Sequence, residues 1–302
     1  VHIISASRKT DIPTFYMEWF MNRIKEGKAY AINPFNKKAK EVSLKQEDVA
    51  AIVFWSKNYR PAMKKLIELK NLGYNLFFHY TITGQGRSTE RFVSPLEVNI
   101  NTFQWLAEQF SKEQLIWRFD PIFYTTNKQQ TYYLETFELI CQQLKGYTHS
   151  CYMSFVTYYP KVQKSIKREL HDEFPIEINE DEQINLLTKM VEIANKYDMQ
   201  LYSCCQNHLT AVDGVKKGSC INFPYLKKLF HLDLELEQNP TREQCGCYKS
   251  YDIGFYNSCP HGCVYCYANI SHRSALKNYQ SHDASSKFIL NDQGIKIETQ
   301  QL

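Results

Sequence analysis

Nowhere does the chain approach the roughly 18 to 20 consecutive apolar residues a membrane span needs, so no spanning helix is expected. It opens on a strand-like run with no basic n-region, apolar h-region or small-residue cleavage site, so no export and a cytoplasmic location are expected. Charge of one sign is scarce: the formal balance is +4, which permits an anionic partner without requiring one. Glycine is sparse, at 11 of 302 residues, and Gly84-Gln85-Gly86 is too short for a phosphate-binding loop. Aromatics are plentiful at 14%, including 21 tyrosines, which suits packing and pocket walls, or a base-stacking surface.

What stands out instead is cysteine. Ten are present, and in a chain without export signals clustered cysteines more often bind metal than pair as disulfides. Three fall in the run Cys259-Pro-His-Gly-Cys263-Val-Tyr265-Cys266 near the C-terminus. Such closely spaced thiolates suit an iron–sulfur cluster or zinc. A structural zinc ion wants four ligands, and Cys245-Gly-Cys247 upstream offers a fourth thiolate. A four-iron cluster held by three ligands keeps one iron open for a small molecule.

The C-x3-C-x2-C spacing, with an aromatic residue before the last cysteine, resembles the cluster loop of the radical S-adenosylmethionine (SAM) superfamily. That resemblance implies a [4Fe-4S] cluster on Cys259, Cys263 and Cys266, with SAM chelated by the open iron and cleaved reductively to a 5′-deoxyadenosyl radical. It also implies backbone near Tyr265 against the adenine, and an electron donor such as a flavodoxin or ferredoxin. Four further segments carry a closer likeness: Ser5–Pro13, Phe54–Asn58, Arg118–Ile122 and the C-terminal cysteine run. Together they resemble, over nearly the whole chain, the bacterial family numbered 1848 among domains of unknown function. A weaker likeness, confined to Cys259–Tyr267, is to spore photoproduct lyase.

Along the chain, β-like runs (His2–Ala6, Ala51–Trp55, Asn75–Thr83, Leu115–Phe119, Cys151–Thr157, Met199–Cys204) alternate with helical patterns. The helical patterns cover Pro13–Ile24, Ala62–Leu72, Val98–Phe110, Tyr132–Leu144 and Ile184–Tyr197. Strands separated in this way indicate βαβ units and a parallel sheet. The stretch Ala29–Leu44 reads as an inserted antiparallel hairpin. A last short strand, Asp252–Tyr256, would feed the cysteine loop, with a helix from Ala268 onward. The expected fold is therefore α/β, a whole or partial (β/α) barrel of radical SAM type, circularly permuted so that the cluster loop follows the last strand. In that arrangement Asp252–Tyr256 lies beside His2–Ala6, and residues 1–302 form one domain whose part 204–267 is cysteine-rich.

Polar residues at the ends of barrel strands are where a pocket draws its contacts. Arg8, Lys9 and Asp11 follow the first strand, Ser56 and Lys57 the second; His79, Thr81 and Thr83 alternate along the third, and Arg118 and Asp120 end the fourth. Arg8 or Arg118 can fork onto a carboxylate or phosphate. Asp11 and Asp120 can accept from ribose hydroxyls or an amine. The alternatives are structural: Asp11 as a helix cap, and Arg118 with Asp120 as an ion pair. Cys204, Cys220, Cys245 and Cys247 suffice for a second iron–sulfur cluster or a zinc ion, against the alternative of ordinary buried cysteines. Cys205, at a strand end, is a candidate hydrogen-atom donor to a substrate radical. Cys141 and Cys151 fall in helix and strand patterns and are expected in the core. Two function classes survive. One is a radical SAM enzyme acting on a nucleic acid, peptide or small metabolite. The other is a non-catalytic, metal-stabilised binding protein, for instance for nucleic acid.

Overall fold

A computed structural model describes residues 1–290 and 294–298; the expected single domain over 1–302 includes 291–293 and 299–302, which lie outside the described residues. Eleven strands are formed among the described residues: β1 (His2–Ala6), β2 (Lys28–Ile32), β3 (Lys38–Ser43), β4 (Val49–Ser56), β5 (Leu76–Thr81), β6 (Leu115–Ile122), β7 (Ser150–Phe155), β8 (Gln200–Ser203), β9 (Val215–Lys217), β10 (Tyr251–Asp252) and β11 (Lys296–Ile297). The helices are α1 (Ile12–Phe15), α2 (Met17–Glu26), α3 (Met63–Asn71), α4 (Leu96–Gln109), α5 (Gln130–Leu144), α6 (Pro160–Glu169), α7 (Glu180–Lys196), α8 (Phe223–Leu229) and α9 (His272–Gln280). No helix among the described residues is long and apolar enough to cross a membrane.

Eight strands form one parallel sheet in the order β10-β1-β4-β5-β6-β7-β8-β9. The sheet is open, as in a partial barrel, and its last strand in sequence lies beside its first: Ile4 is in register with Tyr251 and Ser5 with Asp252. The inserted hairpin is also formed, β2 running antiparallel to β3, with β11 added parallel to β3.

Alternation along the strands assigns two faces. Ile4, Ile52, Phe54, Phe78, Trp117 and Met153 pack into the large core shared with α2, α3, α4, α5 and α7. Their neighbours Ile3, Val53, Phe77, Ile116 and Tyr152 pack on the other face under Ile221, Phe223, Leu226, Cys245 and Cys247. Both faces are thus covered, which explains the nearly continuous apolar runs of β4 and β5. On this second face the apolar residues stand toward the strands' starts. Further along, Phe77 gives way to His79, Ile116 to Arg118 and Asp120, and Tyr152 to Ser154. Polar chemistry is therefore concentrated toward the C-terminal ends of the strands, where β10 delivers the cysteine loop.

Three expectations are adjusted. The first helical pattern is interrupted at Tyr16, where α1 stops and α2 begins, because Tyr16 turns its hydroxyl to the Ser258 carbonyl under the cysteine loop. The strand expected over Asp252–Tyr256 is only Tyr251–Asp252. The helix expected from Ala268 begins at His272, capped by Ser271.

Candidate metal centre and polar lumen

The segment Ser258–Cys266 has almost no regular structure of its own and is held by the rest of the chain. The Phe92 N–H donates to the His261 carbonyl (3.0 Å), the Val264 N–H to Thr89 O (2.9 Å), and Asn269 Nδ2 to Cys259 O (2.7 Å). Gly262 has φ +68° and lies against Phe92, whose ring carbon is 2.8 Å from where a Cβ would stand. A side chain there would be strained twice over.

Two buried charge groups brace the loop from below. Asp11 caps α1 through Thr14 N–H (2.9 Å) and also accepts from Ser56 Oγ, the Lys57 N–H (2.9 Å) and His261 Nε2 (2.7 Å). Burial alone would raise this carboxyl, but the His261 bond and the two N–H donors hold it below the ordinary carboxylate range. Lys57 Nζ pairs with Glu90 Oε1 at 2.8 Å, and the Tyr265 hydroxyl donates to the same oxygen. Glu90 is also bonded by Thr83 Oγ1 (2.7 Å). Tyr265 thus spends its hydroxyl inside the protein and stacks edge-on against Phe123.

Cys259, Cys263 and Cys266 are free and half-buried. Burial pushes all three thiols above their ordinary range; Asp11 and the other two cysteines push Cys259 further, while Lys57 pulls Cys263 and Cys266 back. Without a cation they are neutral; a bound metal would take them as thiolates with release of protons. Among the described residues no group of three or more His, Cys, Asp or Glu is drawn together as a ready metal-ion site.

The unpartnered polar atoms bear on what the loop would hold. Of the six buried side-chain N or O atoms without a hydrogen bond among the described residues, Thr10 Oγ1, His261 Nδ1 and Asn269 Oδ1 belong to the loop or its immediate support, and Gln85 Oε1 and Tyr158 OH to segments packed beside it. Buried polar atoms are normally satisfied, so water, an ion or a polar ligand would complete the bonding here. Two clefts open there. One, with room for only about 10 Å³, is lined by Cys263, Cys266, Asn269 and His272; the other, of about 160 Å³, by Thr83, Gln85, Glu90 and Asn99. Thiols are soft donors of the type that could hold zinc or an iron–sulfur cluster.

Deeper on the same face lies the polar lumen. Arg118 forks onto Asp120 through Nε (3.0 Å) and Nη2 (2.5 Å), and its Nη1 reaches Cys220 Sγ at 3.2 Å. The ion pair weighed from the sequence is therefore formed. His79 lies flat on Trp55, centroids 5.0 Å apart, and burial with the Arg118 charge lowers it to about 4. Arg8 sits 5.8 Å over Trp55 and 3.6 Å from Asp252.

The remaining cysteines divide. Cys141 and Cys151 are core residues. Cys204 Sγ is 3.6 Å from both Cys205 Sγ and Cys220 Sγ, and Cys247 Sγ accepts the N–H of Ile221, next to Cys220, at 3.5 Å. Cys245 turns to Thr241 Oγ1 at 3.7 Å. Hydrogen bonding with Cys204 lowers Cys205 to about 6; bonding with Cys204 and Cys247, helped by Arg118, takes Cys220 well below the thiol range. Sequence reasoning passed over Glu90, His261, Gln85 and Asn269. No periodicity marks Glu90, and only position within the motif could have singled out His261.

The family model described as Domain of unknown function (DUF1848) matches residues 3–268, from β1 through the cysteine loop. The chain belongs to this family. No curated protein and no solved structure matches it. The match takes in Asp11, Lys57, Glu90, Arg118 and the three loop cysteines, so the site lies within the family domain, while α9 lies outside it.

Proposed function

We propose that this DUF1848 protein is a radical SAM enzyme. The observation that carries the reading is the position of three half-buried thiols at the C-terminal end of a parallel sheet, in a loop surrounded by unpartnered polar atoms. In this reading the open sheet is a partial barrel of radical SAM type, permuted so that the cluster loop follows the last strand beside the first. Cys259, Cys263 and Cys266 hold a [4Fe-4S] cluster, which with SAM on its open iron supplies one-electron cleavage of a carbon–sulfur bond.

The chain's own residues do the rest. Asp11 and His261 fix the loop's height over β1 and β4, and Lys57 with Glu90 and Tyr265 fixes its second half. Arg8, beside Trp55 and Asp252, would meet a carboxylate or phosphate of the substrate, with Arg118 held back by Asp120 and Cys220, and Trp55 stacked with His79 is an aromatic surface against which a planar group can lie. Residues of the 219–248 segment pack over the same face of the sheet. The loop's weaker likeness to spore photoproduct lyase puts nucleic acid among the substrates to test, and a flavodoxin or ferredoxin is the expected electron donor.

The test is anaerobic purification and reconstitution with iron and sulfide, followed by quantitation of both and an assay for 5′-deoxyadenosine from SAM under a chemical reductant. A brown, iron-loaded protein that cleaves SAM supports the reading. A colourless protein that takes up zinc alone supports the non-catalytic binding class instead.

A further inference from the structure

Outside the loop that the proposed function uses, β8 is followed at once by two consecutive cysteines, Cys204 and Cys205. In extended chain neighbouring side chains point to opposite faces, yet Cys204 Sγ and Cys205 Sγ are 3.6 Å apart. The reason is that Cys205 adopts φ +60°, a left-handed conformation unusual for a residue with a side chain, which swings its thiol back to the side of Cys204. Such a departure costs on the order of 1 kcal/mol and persists where the surroundings demand it. From a second segment Cys220 comes within 3.6 Å of Cys204, and from a third the Cys247 sulfur accepts the N–H of Ile221, the residue after Cys220, at 3.5 Å. Arg118 donates to Cys220 Sγ at 3.2 Å, and the Arg242 charge lies near Cys205. Guanidinium groups facing sulfur match thiolates better than neutral thiols.

From this geometry we infer a second metal site, a single tetrahedral zinc-type ion held by Cys204, Cys205, Cys220 and Cys247. With zinc–sulfur bonds of about 2.3 Å, neighbouring sulfurs in a tetrahedral site stand about 3.8 Å apart, close to the two 3.6 Å separations. A four-iron cubane carries its ligand sulfurs on separate irons and would hold them further apart. Four thiolates around one dication leave a charge of −2, which Arg118 and Arg242 face. Among the described residues the four sulfurs do not surround one point; binding the ion would draw Cys205, Cys204, Cys220 and Cys247 together around it. The site would clip residues 219–248 to β8 and so hold the cover of the lumen in place. It stands independently of the SAM reading. It also decides Cys205: a thiol bound to metal is not free to donate a hydrogen atom to a substrate radical.

The experiment uses the full chain with Cys259→Ala, Cys263→Ala and Cys266→Ala combined, grown with zinc. Elemental analysis should read about one zinc per chain without acid-labile sulfide, and adding Cys220→Ser should remove it. Cobalt exchanged into the site should show thiolate charge-transfer and tetrahedral ligand-field bands, lost with Cys204→Ser. If the triple variant does not fold, Cys220→Ser alone in the otherwise unchanged chain should lose zinc and keep the loop's iron. Zinc that is absent, or indifferent to Cys220→Ser, overturns the site, and four irons with sulfide in the triple variant overturn the single ion. An unchanged chain that holds this zinc but no iron leaves the site standing and sinks the SAM reading.

Discussion

Asp11 Oδ2 and His261 Nε2, 250 positions apart in sequence, share a buried 2.7 Å hydrogen bond that fastens the loop after the first strand to the cysteine loop after the last. A carboxylate can only accept, so Nε2 carries a proton, while Nδ1 is buried and unpartnered. Asp11→Ala would strand the Ser56 hydroxyl, two backbone N–H groups and His261 at once. The expected cost is about 2–4 kcal/mol in urea unfolding, with iron uptake by the loop falling in parallel. A variant with unaltered midpoint and full iron loading would show that the bond does not organise the loop.

Lys57 and Glu90 should behave as a pair. Lys57→Met leaves a buried carboxylate with only hydroxyl partners, at a cost of roughly 3–5 kcal/mol, whereas Lys57→Met with Glu90→Gln should recover a good part of it. Chemical denaturation of the two single variants and the double variant forms the cycle. Strict additivity would mean that the two groups do not interact.

Acid should loosen the edge of the sheet through Asp252. Its carboxylate accepts from Ser5 Oγ (2.7 Å), Ser7 Oγ (2.7 Å), Arg8 N–H (2.9 Å) and Gly254 N–H (3.0 Å). Burial pushes this carboxyl up, but Lys9, Arg8 and these donors outweigh it and hold it below the ordinary value of 3.8. A depressed folded pKa contributes stability above the unfolded pKa, and that stability is lost as pH falls through the folded one. Asp252→Asn should therefore be less stable than the parent at neutral pH, with the gap shrinking below about pH 4. A gap that is constant down to pH 2 would contradict the assignment.

The parallel sheet was legible in the sequence because strand and helix periods are local: the six longer strand runs all correspond to strands of the sheet, and the pairing of β10 with β1 was expected from the order of the strand and helix patterns. What could not be read locally was missed. β9 has three residues and no room for a period. α6 lies in a stretch whose apolar residues are few and α8 has only seven residues, and each has proline in its first turn. The three loop cysteines were visible as spacing, but Glu90 and His261 act through partners 33 and 250 positions away, which no pattern along the chain displays. The second thiol group shows the same limit. Cys204, Cys220, Cys245 and Cys247 were singled out together, while the left-handed conformation that brings Cys205 to Cys204 is a property of the backbone, and Cys245 faces Thr241 instead.

Gly254 explains why β10 is shorter than its apolar pattern suggests, and it offers the sharpest test of how the cysteine loop is aimed. A Cβ at this position would stand 1.9 Å from Ser7 Oγ and 2.5 Å from Ser7 Cβ, so the chain can leave the sheet here only without a side chain. Ser7 cannot retreat freely, because its hydroxyl is bonded to Asp252 at 2.7 Å and accepts the Lys9 N–H at 2.9 Å. Gly254→Ala should therefore cost about 1–3 kcal/mol by overpacking and displace Cys259, five residues on, enough to lower iron loading. Ser7→Gly is destabilising by itself, since it removes a bond to Asp252, yet it opens the space the new methyl needs. The double variant Ser7→Gly with Gly254→Ala should accordingly melt above Gly254→Ala alone. If the two losses simply add, close approach to Ser7 is not what the glycine is for, and the path of the loop is set by its other contacts, the Asp11–His261 bond and the Phe92 and Val264 backbone bonds among them.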